Sequence, residues 1–460
     1  MKHLVFTSED ACDTVSMPDP KELNKKVWGL TLPALIELLL ATLFGMVDMV
    51  MVGNVSTQSL AAVGITNQPI LLALAVFQAS NVGTTALVAR FIGTGDKSMA
   101  NKVVEQTLIL AVISGIIVSG LGFGLAQTVV KFMGAEPEVV PLAVSYMKIV
   151  CLGGVFLSLT LGISAALRGA GDTLSPMKYN ITSNIINIIV NYILIYGKLG
   201  FPAMGVKGAA IATALSQGIA AFMALIAIYQ SDSCFNLSFR VIPSLDLNLI
   251  KRMLNIGVAS GLEQLALRTG QIEFARTVAS LGTTVLAAHQ IGINVFGLSF
   301  APSMAFGMAA TTLVGQSLGA NRPDIAEQYG LVTRKLGMIV AVGIASLFFF
   351  FGNKIAAIYT SDLEAIRLAA GCLKIIAIMQ PMQSTQFILA GALRGAGDTR
   401  WPLYSTFIGV WGIRVLLAKV FVSMGFGLIG AWMGQVCDQL FRSIFIYVRY
   451  NSGHWKKINV

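Results

Sequence analysis

The hexapeptide Arg168-Gly169-Ala170-Gly171-Asp172-Thr173 occurs twice. It returns as Arg394-Gly395-Ala396-Gly397-Asp398-Thr399, an offset of 226 residues (168 to 394). Other matches keep the same register: Leu87-Val88 with Leu313-Val314, Ala61-Ala62 with Ala287-Ala288, and Glu37 with Glu263. Independent matches on one offset make the chain two homologous halves. Whatever the first half folds into, the second must be able to fold into as well.

Composition then limits what each half can be. Of the 460 residues, 55% are hydrophobic and only 12% charged, whereas a soluble domain carries about 25% charged residues. A helix needs about 20 apolar residues to cross a hydrocarbon core, and the chain offers about twelve such stretches. The expected limits are 27–52, 59–89, 99–130, 139–167, 175–197 and 207–229 in the first half. Those in the second are 246–280, 284–316, 324–358, 363–393, 401–424 and 428–450. The expected fold is an all-α membrane protein with two pseudo-symmetric six-helix lobes. Its domains are an N-terminal tail 1–26, an N-lobe 27–230, a linker 231–245, a C-lobe 246–450 and a tail 451–460. Parallel internal repeats of this size are a signature of secondary transporters, with a cavity expected between the halves.

The net charge of +10 does not point to nucleic acid, because the basic residues are scattered between apolar stretches. They concentrate in alternate loops: Lys21, Lys25 and Lys26; Arg90, Lys97 and Lys102; Arg168 and Lys178; Arg240, Lys251 and Arg252; Arg394 and Arg400; and Arg449, Lys456 and Lys457. By the positive-inside bias this places both termini and both RGAGDT turns in the cytoplasm, in a multi-pass protein of the cell inner membrane. Residues 1–20 lack a basic stretch followed by an apolar one, so no cleavable leader is expected. Cys12, Cys151, Cys234, Cys372 and Cys437 are far apart, and neither a metal site, a disulfide framework nor a cofactor motif is expected. Gly93-Thr94-Gly95-Asp96-Lys97-Ser98 resembles the end of a phosphate loop, but Asp96 separates the glycine from the lysine. No nucleophile–base pair suggests an enzyme.

The polar residues inside apolar spans carry the chemistry. Asp48, in the first span, has no basic residue within a turn, and a carboxylate at the membrane centre costs roughly 2.5–3.5 kcal/mol. It must face a wet cavity, pair across helices, or carry a proton part of the time. Glu37 lies on the same stripe three turns earlier, and Glu263 is its repeat partner. Salt-bridging and transport both stay open for that pair. The fifth span carries Asn180, Asn184, Asn187 and Asn191, spaced 4, 3 and 4 on one helical face. This stripe should face the bundle interior, either holding the Asp48 carboxyl, meeting a cation, or joining helices. The second half has Phe274, Ile413 and Leu417 where the first has Asp48, Asn187 and Asn191, which weights ion handling to the first half. Gln264, Arg268 and Gln383 are candidates for a substrate cavity. Glu273–Arg276 and Asp438–Arg442 read as intrahelical pairs. Gly120, Gly122 and Gly124 suggest close helix packing. In the repeated turns, Arg168 and Arg394 can cap helix carbonyls, Asp172 and Asp398 can cap the next helix, and Pro176 and Pro402 fit its first turn.

These residues resemble the multidrug and toxic compound extrusion (MATE) transporters over nearly the whole chain. The resemblance is carried by Val47-Asp48-Met49-Val50-Met51-Val52-Gly53 and Leu60-Ala61-Ala62-Val63-Gly64. It continues in Ala166-Leu167-Arg168-Gly169 with Gly171-Asp172-Thr173, in Leu281-Gly282-Thr283 with Ala287-Ala288-His289-Gln290, and in Gly391-Ala392-Leu393-Arg394-Gly395 with Gly397-Asp398-Thr399. It implies twelve helices in two lobes and cation-coupled export of organic cations and drugs, with Asp48 as coupling residue and fifth-helix polar residues beside it. Some members carry acids where this chain has Gln383 and Leu267, and some have Asp at the position like Asn191. The pattern looks closer to the DinF-like branch, which favours protons over sodium. The sequence reading is therefore a proton-coupled antiporter, acting as a monomer on cationic or amphipathic drugs. A sodium-coupled exporter, with Na+ at Asp48, Asn187 and Asn191, is the alternative. A lipid-linked precursor flippase of the same superfamily and a solute-uptake carrier also stay open.

Overall fold

A computed structural model describes residues 18–230, 235 and 245–458. The expected linker 231–245, with Cys234, Asn236 and Arg240, falls almost entirely outside the described residues. So do Cys12 and most of the N-terminal tail. The described chain is helical. In order it forms α1 (Pro20–Gly53), α2 (Thr57–Gly93), α3 (Lys97–Gly124), the short α4 (Ala126–Phe132), α5 (Val140–Gly169), α6 (Leu174–Tyr196) and α7 (Val206–Tyr229). The second half forms α8 (Leu247–Ala279), α9 (Thr283–Gly319), α10 (Pro323–Ala357), α11 (Leu363–Gly395), α12 (Arg400–Ser423) and α13 (Gly427–Asn451). Residues Ile408–Val415 of α12 are wound as π-helix.

Among the described residues, eight of these helices are long and apolar enough to cross a membrane by length and composition: α1, α2, α3, α5, α7, α9, α10 and α12. The other four long helices are α6, α8, α11 and α13. They are diluted by the asparagine stripe, by Glu263 and Arg268, by Gln380, Gln383 and Gln386, and by Asp438 and Arg442.

Two boundaries differ from the sequence expectation. α1 starts at Pro20 rather than at residue 27, because proline suits a first helical turn and the following Lys-Glu-Leu-Asn-Lys-Lys run propagates helix without being apolar. The stretch 99–130 is broken at Gly124–Leu125, where α3 gives way to α4. Of the three glycines there, only Gly122 is needed for close packing: a Cβ on it would lie 2.6 Å from Cys151 Sγ, while Gly120 and Gly124 face open space. Asp96, which spoils the phosphate-loop pattern, caps α3 by accepting from Met99 N at 2.9 Å.

The chain divides into two compact units. One runs from Ile36 to Gly257; the other contains the part of α1 up to Leu35 and the chain from Val258 onward. The start of α1 thus groups with the second unit and the start of α8 with the first. Within the first unit, the start of α8 packs on α2 through missing side chains. A Cβ on Gly257 would sit 1.6 Å from the Ala79 carbonyl oxygen, and one on Gly83 2.2 Å from that of Met253. Within the second unit, Trp28 of α1 meets Phe306 of α9 edge-on, with ring centroids 5.4 Å apart.

Both RGAGDT copies end a helix in the same way. Gly171 (φ +93°) and Gly397 (φ +86°) adopt the left-handed conformation. Asp172 N donates to Leu167 O and Asp398 N to Leu393 O, both at 2.8 Å. Each closes a Schellman turn, which satisfies carbonyls that a helix end otherwise leaves bare.

Candidate functional site

In the first unit, α1 and α6 bring Asp48 and the asparagine stripe together. Asn191 Nδ2 donates to Asp48 Oδ1 at 2.7 Å and is 3.0 Å from Asn187 Oδ1. Turned by 180°, the Asn187 amide presents its nitrogen to Asp48 Oδ1 and Oδ2 at 3.0 and 3.1 Å. Asn187 and Asn191 are buried and Asp48 half-buried. The side-chain oxygen of Asn191 has no protein hydrogen-bond partner among the described residues. From α7, Ser216 Oγ lies 3.3 Å from Asn187 Nδ2. Tyr146, hydrogen-bonded to Thr213, lies within electrostatic reach of Asp48. Tyr146 and Ser216 are additions to the sequence reading. A single serine in the alanine-rich α7 and a tyrosine two helices away carry no pattern of their own.

The stripe does not act as one unit. Asn184 Nδ2 bonds its own helix at Asn180 O, 2.8 Å away, and does not reach Asp48. Asn180 Nδ2 donates to Glu37 Oε1 at 2.8 Å, beside Arg168 Nη2 at 2.6 Å on the same oxygen. The second unit repeats this arrangement: Arg394 Nη2 donates to both oxygens of Glu263 at 2.8 Å, and Thr406, at the position of Asn180, donates at 3.1 Å. The expected helix-capping role of Arg168 and Arg394 is thus replaced by an interhelical one. The backbone turn already satisfies the carbonyls, so the guanidinium is available to neutralise a buried acid. Asp172 does cap the next helix, accepting from Leu174 N and Ser175 N at 3.0 and 2.9 Å. Asp398 instead takes Arg449 Nε at 2.8 Å, because α13 offers a guanidinium there. Burial raises the Asp398 carboxyl, partly offset by Arg449.

Among the described residues, the second unit has nothing like the Asp48 cluster. Phe274 packs against His289 and Trp432, with ring centroids 5.6 and 6.3 Å away. Asp438 does not pair with Arg442 one turn along its own helix; Arg414 Nη2 and Nε bond its Oδ2 at 2.5 and 2.9 Å. The π-helical segment of α12 carries Arg414, and Gly409 leaves space for the two α13 side chains: a Cβ there would be 2.3 Å from Asp438 Oδ1. Arg442 donates to Thr406 Oγ1 at 2.7 Å and lies 4.0 Å from Glu263. Glu273 meets Arg276 at 3.5 Å, as its spacing suggested, and Lys419 at 2.7 Å. Gln264 and Arg268 are half-buried on α8, outside these networks, and Gln383 is fully buried on α11.

Chemically, the Asp48 cluster holds one carboxylate among amides, with no adjacent cation among the described residues. It can take a proton. It also offers carboxylate and amide oxygens that suit a hard monovalent cation. Among the described residues, no group of three His, Cys, Asp or Glu side chains is placed to hold a metal.

A helical membrane protein with duplicated halves and one acid kept among neutral polar side chains has the make-up of a secondary transporter. The chain belongs to the MatE family, which it matches over residues 33–193 and 259–420. It is 34% identical over 440 residues to the probable multidrug resistance protein NorM of Thermotoga maritima, covering 95% of this chain and 94% of that one. It is 28% identical over 458 residues to the uncharacterized transporter YisQ of Bacillus subtilis, covering 99% of each. Among solved structures, a MATE crystal structure in the straight conformation superposes with a TM-score of 0.87 at 25% identity, covering 95% of this chain and 97% of that one. The fold is therefore the twelve-span, two-lobe fold of these transporters, and the chain is not an enzyme.

Proposed function

We propose that this protein exports cationic or amphipathic drugs from the cell in exchange for protons, with Asp48 as the coupling group. The observation that carries this reading is the isolation of Asp48: it accepts from Asn191 and, with the Asn187 amide turned to present its nitrogen, from Asn187, and it has no ion-pair partner among the described residues. An ionised carboxylate only accepts hydrogen bonds; a protonated one must also donate. Loading a proton therefore obliges the Asn187 and Asn191 amides to rearrange, since one must now offer its oxygen. That local switch couples proton binding to the position of α1 against α6, and exchange follows if drug and proton favour different conformations. Names of relatives such as the multidrug resistance protein PmpM of Pseudomonas aeruginosa, 30% identical over 442 residues, support the substrate class.

In this reading the protein is a monomer of the cytoplasmic membrane. Both termini and the RGAGDT turns face the cytoplasm. Gln383 and Leu267, where other members carry acids, favour the DinF-like branch and protons. Sodium coupling is the second reading, supported by the oxygens that Asp48, Asn187 and Asn191 gather in one place. The test is reconstitution with a fluorescent organic cation under an imposed pH or sodium gradient, for wild type and Asp48→Asn. Export driven by pH alone and lost in the variant is expected. Export that survives unchanged in Asp48→Asn would sink the mechanism, and export driven by sodium alone would move the coupling to a cation.

A further inference from the structure

At the RGAGDT end of the second unit, the start of α12 and the end of α13 enclose an open groove of about 530 Å³. Its walls are apolar. Phe441, Ile444, Phe445 and Val448 form one face of α13, and Trp401 closes the other side, its ring centroid 5.2 Å from that of Phe445. Ile444 and Val448 are more than half exposed, so the groove opens sideways, where a spanning helix meets acyl chains.

One end of the groove is charged. The Arg449 guanidinium lies 4.6 Å over the Trp401 ring and holds Asp398 through Nε. Ser452 and His454, bonded to each other at 2.9 Å, complete that end. Beside it stand Arg400, within electrostatic reach of Asp398, and Lys456, two residues beyond His454. The acids that meet them are Asp398 and Glu327, the latter bound by Lys456 at 2.6 Å. The balance is a surplus of positive charge beside an aromatic, laterally open cleft.

The first unit supplies an internal comparison. At the repeat-related position it has a groove of about 410 Å³, but Ser175 stands where Trp401 stands, and Met223 where Arg449 stands. The carboxylate of Asp172 also lines it. That groove is lined by Tyr179 and Lys178 as well, but it has no counterpart of the Trp401 indole or of the Arg449 guanidinium.

We propose that the α12–α13 groove is a binding site for one anionic phospholipid. An acyl chain lies along Phe441, Phe445 and Val448, and the phosphate is received by Arg449, Ser452 and His454. Arginine is suited to this because its fork can keep one edge on Asp398 and turn another to a phosphate oxygen. Basic pockets between spanning helices hold acidic headgroups in this manner, and tryptophan settles at the same depth.

Native mass spectrometry of the purified full-length protein, with phosphatidylglycerol or phosphatidylcholine of identical chains added, tests the proposal. One phosphatidylglycerol is expected to be retained in preference to phosphatidylcholine. Val448→Glu puts a negative charge on the lip without touching the Asp398–Arg449 pair, and should weaken retention about fivefold or more. Val448→Lys should keep it. Trp401→Ser with Arg449→Met, which copies the first unit's residues, should abolish it. Equal retention of the two lipids, unaltered retention in Val448→Glu, or displacement by excess inorganic phosphate would each overturn the proposal. The wild-type comparison of the two lipids decides the matter even if a variant fails to fold.

Discussion

Replacing Arg168 by methionine leaves the Glu37 carboxylate, 8% exposed, without the guanidinium that holds it at 2.6 Å. Only the neutral Asn180 amide at 2.8 Å remains. Removing one partner of a buried pair costs about 3–5 kcal/mol, because a charge is stranded. In a compact unit of this size that corresponds to a melting shift on the order of 10 °C. The repeat-related Arg394→Met should cost less, because Arg442 already lies 4.0 Å from Glu263 and can turn to it. Replacing both Glu37 and Arg168 by methionine removes the stranded charge, and should recover all but about 1–2 kcal/mol. The assay is thermal unfolding in detergent followed by size-exclusion chromatography, beside drug export from proteoliposomes. If the double variant melts as low as Arg168→Met, the stranded-charge argument is wrong. If it regains stability but not export, Glu37 is a transport group and not an anchor.

Two pairs of variants test the geometry further. Asn191→Ala removes a 2.7 Å hydrogen bond to the Asp48 carboxylate; a bond to a charged group is worth about 1.5–3 kcal/mol, so export should fall tenfold or more. Asn184→Ala, whose amide bonds its own helix, should stay within about twofold of wild type by the same reasoning. Gly391→Ala would drive a Cβ to 2.2 Å from the Gly307 carbonyl oxygen, whereas Gly343 has open space around it. Gly391→Ala should therefore lower the melting temperature sharply. Gly343→Ala should leave it level or raise it slightly, since alanine favours helix by up to about 1 kcal/mol.

Much of the site was legible as a pattern before it was legible as contacts. The spacing of Asn180, Asn184, Asn187 and Asn191 puts them on one face whatever packs there, because helical periodicity is a property of the backbone. The division of that face between Glu37 and Asp48 is not periodic; it depends on where α1 lies along α6. The capping roles expected of Arg168 and Arg394 were local readings of an arginine at a helix end, and the true partners are 131 residues away in each case. The i,i+4 spacing of Asp438 and Arg442 allowed a pair, but Arg414 on α12 is a closer partner. Tyr146 and Ser216 gave no signal, because a single polar residue in an apolar helix looks the same wherever it points.

By itself, the sequence determined the duplication, the helical membrane-spanning character and the presence of acids inside apolar spans. Those follow from covalent repetition, from the cost of unpaired backbone groups in hydrocarbon, and from the cost of a charge there. The tertiary structure decided which of these acids meet an arginine and which meets amides instead. Glu37, Glu263 and Asp438 each lie where another helix delivers an arginine, while Asp48 lies where its neighbours deliver only amides. The physical reason is reach: a hydrogen bond acts over about 3 Å, so rotating or sliding a helix by one residue exchanges partners while leaving its hydrophobic pattern intact.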